Sequence, residues 1–116
     1  MARQIHSDSV KSADERETLL RVDAHAMELR GPQGVTPLNP VDVAVLSALA
    51  RAPGQRLEHW QLITALGLES DEGNRSNLAV RMTRLRGKLS QVGCDGGALR
   101  SLRAEGYQLC VAVAIE

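Results

Sequence analysis
Between Asn77 and Leu89 the apolar residues recur at helical spacing, and this stretch constrains the fold more than any other. Laid out at about 100° per residue, Leu78, Met82, Leu85 and Leu89 share one face, and Val92 continues it. A chain with this stripe must supply an apolar surface to cover it. Asn77, Arg81, Arg84 and Lys88 form a second stripe on a different face of the same segment. From Arg75 to Gln91 there is no acidic residue, although 14 basic and 14 acidic residues balance over the chain. A helix that packs with one side and presents guanidinium groups on another suits a phosphate-lined groove. It equally suits a solvated cationic face, and the stripe alone leaves both open.

The chain of 116 residues supports one domain with a modest core. With no Phe, one Trp and one Tyr, that core must be built from Leu, Val, Ala, Met and Ile. Zero formal net charge predicts weak non-specific electrostatic binding to nucleic acid. Cys94 and Cys110 form no C-x-x-C pair and fit no zinc spacing, so reduced thiols are expected. No run is apolar and long enough to span a membrane, and no hydrophobic signal core opens the chain. A soluble, cytoplasmic protein is expected. His6, His25 and His59 are scattered, and Gly93-x-x-Gly96-Gly97 follows a helix and lacks the Lys-Ser/Thr of a phosphate loop. Neither an enzyme nor a cofactor or metal is expected.

Residues 1–17 are polar and without lasting periodicity, and read as a flexible arm or linker remnant before a domain over 18–116. Leu20 and Val22, then Ala26–Leu29, then Val35 after the turn Gly31-Pro32-Gln33-Gly34, predict a small antiparallel sheet of short strands. Asn39-Pro40-Val41-Asp42 is a helix start: an N-cap, Pro at the first helical position and an acid in the first turn. Pro53-Gly54 ends that helix. A second helix is predicted from about Glu58 to Leu66, with Gly67 as its stop. An acidic loop from Gly67 to Asn74 leads into the third helix, about 74–92. Ala98–Arg103 and Tyr107–Ile115 then read as two strands joined by a tight turn at Ala104-Glu105-Gly106. The expected fold is α+β: a winged helix-turn-helix with an N-terminal antiparallel sheet, three helices and a C-terminal hairpin wing.

Four segments, in order, resemble the C-terminal effector domain of OmpR/PhoB-type response regulators over roughly Leu20 to Leu109. Leu38-Asn39-Pro40-Val41-Asp42 resembles the family's Leu-Thr-x-x-Glu, and Pro53-Gly54-Gln55-Arg56-Leu57 its Pro-Gly bend. Arg84-Leu85-Arg86-Gly87-Lys88-Leu89 resembles Arg-Leu-Arg-x-Lys-Leu, and Leu102-Arg103-Ala104-Glu105-Gly106-Tyr107-Gln108-Leu109 the Val-Arg-Gly-x-Gly-Tyr-x-Leu wing. The resemblance implies a third helix in the major groove and a wing Arg in the neighbouring minor groove. By position, Val80 and Arg84 would face base edges, Asn77 and Arg81 phosphates, and Arg103 the minor groove. Arg75, Ser76, Lys88 and Ser101 complete the implied DNA-contacting set, with Arg86 in either a backbone contact or an internal ion pair. The chain departs from the pattern at Arg75-Ser76, where the usual Arg is shifted by one, at Ala79, Gly87 and Leu66, and at Ala104-Glu105 in the wing.

The implied function is a regulator in a two-component system that binds double-stranded DNA sequence-specifically, with tandem copies on direct repeats. The family's receiver domain is absent from the sequence, so phosphorylation control by that route is not expected. Glu69, Asp71 and Glu72 stand where family members touch RNA polymerase, or else complement the dipole of the third helix. Trp60 is either partly packed or a protein contact. The competing reading is a protein-interaction module that keeps the fold with weak or no DNA binding, suggested by zero net charge, Glu105 and the acidic loop.

Overall fold
The computed structural model describes residues 18–94, 96–103 and 105–116; the arm expected over 1–17 lies outside them. Three N-terminal strands come first: β1 (Thr18–Asp23), β2 (Glu28–Gly31) and β3 (Gly34–Pro37). They pair antiparallel in sequence, with Val22 opposite Leu29 and Leu29 opposite Thr36. The period-2 alternation read from Leu20 and Val22 is real: both are fully buried, with exposed Arg21 between them.

Helix α1 (Pro40–Arg51) starts where the sequence says it should, because its start is written locally. Asn39 Oδ1 accepts from the Asp42 N–H at 2.8 Å, and Asp42 Oδ2 accepts from the Asn39 N–H at 3.2 Å. A 3₁₀ turn (Pro53–Gln55), with Gly54 in the left-handed region, redirects the chain into β4 (Arg56–Glu58). Helix α2 (His59–Ala65) follows, then α3 (Glu72–Gln91). Helix α3 begins two residues earlier than the sequence suggests: Asp71, placed in the acidic loop, is its N-cap and accepts from the Asn74 N–H at 2.8 Å.

Strands β5 (Leu99–Leu102) and β6 (Gly106–Leu109) form the hairpin wing, and β4 pairs with β6 on its other side, giving a three-stranded antiparallel sheet. The single strand expected over Tyr107–Ile115 is two strands in two different sheets. Strand β7 (Ala112–Ile115) leaves the wing and pairs parallel with β1, so the N-terminal sheet has the order β3-β2-β1-β7. The break falls at Cys110 for a physical reason that alternation cannot express. Gln55 Nε2 donates to the carbonyls of both Leu109 and Val111 at 2.8 Å, and the Cys110 N–H is taken by the Ala98 carbonyl at 2.7 Å. The Cys110 bond is the last rung in the β5–β6 register; beyond it the Leu109 and Val111 carbonyls are taken by a side chain, and the chain turns.

One aliphatic core unites the two sheets and three helices. Leu78, Met82, Leu85 and Leu89 of α3, with Val92, meet Leu20, Val22 and Leu29 of the sheet, Val45, Leu46 and Leu49 of α1, and Leu62 and Ile63 of α2. Val113 and Ile115 pack on its margin. The apolar stripe of α3 is thus buried in this core, and the opposite side of the helix is bare.

Candidate nucleic-acid interface
The uncovered side of α3 is defined by what packs on the other. With Leu78, Met82, Leu85 and Leu89 buried, the residues pointing away are Ser76, Asn77, Val80, Thr83, Arg84 and Gly87, all exposed. Val80 is 50% exposed, an apolar side chain held in the open. Among the described residues Arg84 makes no hydrogen bond or ion pair, so its planar donor fork is unused. Arg81 is half-buried on one flank of this face, beside the packed stripe.

Two of the cations singled out in the sequence are engaged within the protein. Lys88 makes an ion pair with Asp42, which is only 4% exposed, and so ties α3 to the start of α1. Its helical-wheel position sits at the edge of the bare face, but a buried carboxylate within reach captures it. Arg86 is also structural. Its Nε donates to the Leu99 carbonyl at 2.8 Å and its Nη2 to Ser101 Oγ at 3.1 Å, fastening α3 to β5. It makes no ion pair among the described residues, and Ser101 acts as its acceptor.

At the wing, Arg103 is exposed at the turn after β5 with a positive φ of 45°. This left-handed backbone costs a non-glycine residue roughly 1–2 kcal/mol. Glu105, beside Arg103 in the wing turn, pairs with Arg56 at 3.6 Å on the exposed surface, which offsets part of its charge. Arg100 of β5 is exposed and has no partner among the described residues; no motif marks it in the sequence, and only the strand register puts it outward, opposite Gln108.

The start of α3 carries the least expected contact. Arg75 Nη2 lies 3.3 Å from His59 Nδ1, and His59 meets Tyr107 edge-on, with ring centroids 5.5 Å apart and planes at 87°. Burial, then the Arg75 charge, hold the imidazole below the ordinary histidine range, against a smaller opposite pull from Glu58. Burial also raises the Tyr107 phenol, which is buried as a wing anchor. Nothing in the sequence links His59 to Arg75; the helix-loop-helix turn brings them together.

Of the residues set aside for a protein contact, Trp60 is 52% exposed, with its indole N–H donating to Glu58 Oε1 at 3.2 Å, so it is not packed into the core. Glu69 is exposed, and its carbonyl accepts from Asn74 Nδ2 at 2.7 Å. Asp71 and Glu72 stand at the N-cap and first turn of α3, where negative charge favours the helix.

Two helices joined by a short loop, the second laid bare on one side and followed by a hairpin, define a winged helix-turn-helix protein. Residues 33–109 match the profile of the family described as transcriptional regulatory protein, C terminal. The chain belongs to this family, the OmpR/PhoB-type effector domains of response regulators, which are DNA-binding transcription regulators. Among solved structures it is similar to the C-terminal domain of the nisin resistance regulator NsrR, a lantibiotic response regulator. The two are 28% identical, with 74% of this chain and 87% of that chain covered and a TM-score of 0.59. No curated protein sequence matches it significantly. The matched stretch ends before β7, the strand that closes the N-terminal sheet. Among the described residues no helix is long and apolar enough to cross a membrane.

Proposed function
We propose that the chain reads duplex DNA with α3 in the major groove and Arg103 of the wing in the adjacent minor groove. The observation that carries this reading is the bare face of α3, where exposed Val80 and Arg84 stand together on a helix fixed by the core behind it. Arg84 suits bidentate contact with a guanine edge, and Val80 suits the methyl of thymine. Asn77, Ser76 and Arg81 suit phosphates that set register, and Arg75 suits a phosphate at the start of the helix. Lys88 and Arg86 are left out, because both are engaged inside the protein. A regulator acting on DNA in this way works in the cytoplasm, and tandem copies on direct repeats fit the family.

Selection from a random duplex pool, followed by titration of the enriched sequence at several salt concentrations, tests this. A defined motif should emerge, with affinity falling as salt rises. Arg84→Ala should then lower discrimination at one or two base positions by about 1–3 kcal/mol. Equal loss on every sequence would make Arg84 a phosphate contact, and no enrichment at low salt would end the reading.

A second reading is favoured by the exposure of Trp60, and of Leu68 next to the acidic Glu69 in sequence: a contact with RNA polymerase. Trp60→Ala should weaken association with purified RNA polymerase while leaving affinity for DNA unchanged. Undiminished association would set it aside.

A further inference from the structure
His59 belongs to α2, yet it touches the two parts that the proposed DNA contact depends on. Its backbone N–H donates to the Glu105 carbonyl in the wing turn at 3.0 Å. Its ring edge meets Tyr107 of β6. Its Nδ1 lies 3.3 Å from the Arg75 guanidinium in the first turn of α3. A guanidinium only donates, so this last contact needs the Nδ1 lone pair and an imidazole that is neutral with its proton on Nε2.

We infer that His59 is a positioning residue of the DNA interface, whose neutral imidazole fixes the Arg75 guanidinium at the mouth of α3 and locks it to the wing. The inference rests on the DNA-binding reading above. Arg75 is otherwise a long, exposed side chain with many rotamers; a single acceptor on a ring braced by Tyr107 selects one of them before DNA arrives. Preorganisation of this kind strengthens binding without His59 itself touching DNA.

Protonation removes the acceptor and sets a second cation beside the first. The charged and titratable groups around the ring are Arg75 from α3, Glu58 from β4, Tyr107 from β6, and Glu105 at the wing turn with its partner Arg56. Arg86 lies close enough to influence Tyr107. Since burial and Arg75 already disfavour the charged ring, the switch falls below the ordinary histidine range. A histidine merely lying near phosphates would act in the opposite sense, its new charge tightening binding as pH falls.

The experiment uses the full chain, the duplex enriched by selection, and the variants His59→Phe, His59→Asn and Arg75→Ala. His59→Phe keeps a ring against Tyr107 but offers no acceptor, whereas His59→Asn places an amide oxygen near the Nδ1 position and does not titrate. Expected results are a loss of about three- to tenfold for His59→Phe only when Arg75 is present, and near wild-type affinity for His59→Asn. Wild-type affinity should weaken on acidification, and that of His59→Asn should not, relative to a common baseline. In the free protein, NMR should show the His59 titration midpoint rising in Arg75→Ala. Additive losses for His59→Phe and Arg75→Ala, tighter binding at low pH, or an unmoved His59 midpoint would each overturn the inference while leaving DNA binding intact. Wild-type chain that binds no duplex would overturn the DNA reading and this inference with it, whatever the NMR titration shows.

Discussion
Gly106 and Gly87 both lie within regular elements, in opposite surroundings. A Cβ on Gly106 would lie 2.0 Å from the Leu57 carbonyl oxygen and 2.7 Å from the Glu58 Cα, so β4 can pair with β6 only where no side chain stands. Gly87, in the interior of α3, has nothing within 4 Å of the same position. Its helical backbone gains nothing from glycine, and the residue loses more conformational freedom on folding than alanine would. Gly87→Ala should therefore raise stability by about 0.5–1 kcal/mol in urea denaturation; a loss would show that the helix needs to flex there. The wing glycine could be read from its motif as a turn residue, but its reason could not, because the crowding strand lies far away in sequence.

At the scale of elements, α1 and α3 show what is legible in a sequence and what is not. The start of α1 is set by residues within one turn of each other, Asn39, Pro40 and Asp42, and it is where the sequence places it. The packed face of α3 follows from periodicity alone. The fate of its flanks does not, since a helical wheel gives the direction of a side chain and not what waits there. Lys88 meets Asp42, and Arg86 meets β5, because of how the helices and wing are assembled. The Asp42–Lys88 pair joins the cap of α1 to the last turns of α3, so Lys88→Met leaves a buried carboxylate with only its capping bonds. That should cost on the order of 1–3 kcal/mol, read from chemical denaturation. The same variant should leave the salt dependence of DNA binding unchanged, whereas loss of a proposed phosphate contact in Arg81→Ala should make it shallower. Equal shallowing by both would return Lys88 to the interface.

For the molecule as a whole, the decisive feature is that its last strand belongs to its first sheet. The hydropathy of Tyr107–Ile115 alternates without a break, and alternation alone continues the wing through Cys110. The side chain of Gln55, which takes the carbonyls of Leu109 and Val111, ends it instead. Arg21 and Glu116, paired at 2.7 Å, and the Glu116 N–H donating to the Val22 carbonyl at 2.8 Å, fasten the end of β7 to β1. Removing residues 112–116 takes away this ladder and uncovers the core margin where Val113 and Ile115 pack. We expect a loss of roughly 2–4 kcal/mol by thermal or urea unfolding. A truncated chain as stable as the full one would show that β1 needs no parallel neighbour.

The pairing of β1 with β7 also bears on how the chain is made. Strands β2 and β3 reach β1 through short turns, but its remaining edge waits for a partner about ninety residues downstream, as the contact of Arg21 with Glu116 shows. During synthesis β1 emerges well before that partner does. Until then β1 presents an open row of backbone donors and acceptors, and the core beneath it is incomplete. Closure of the sheet is the longest-range step in the molecule, the kind that slows folding at a given stability. The nascent chain thus completes this sheet only after residues 112–115 have emerged.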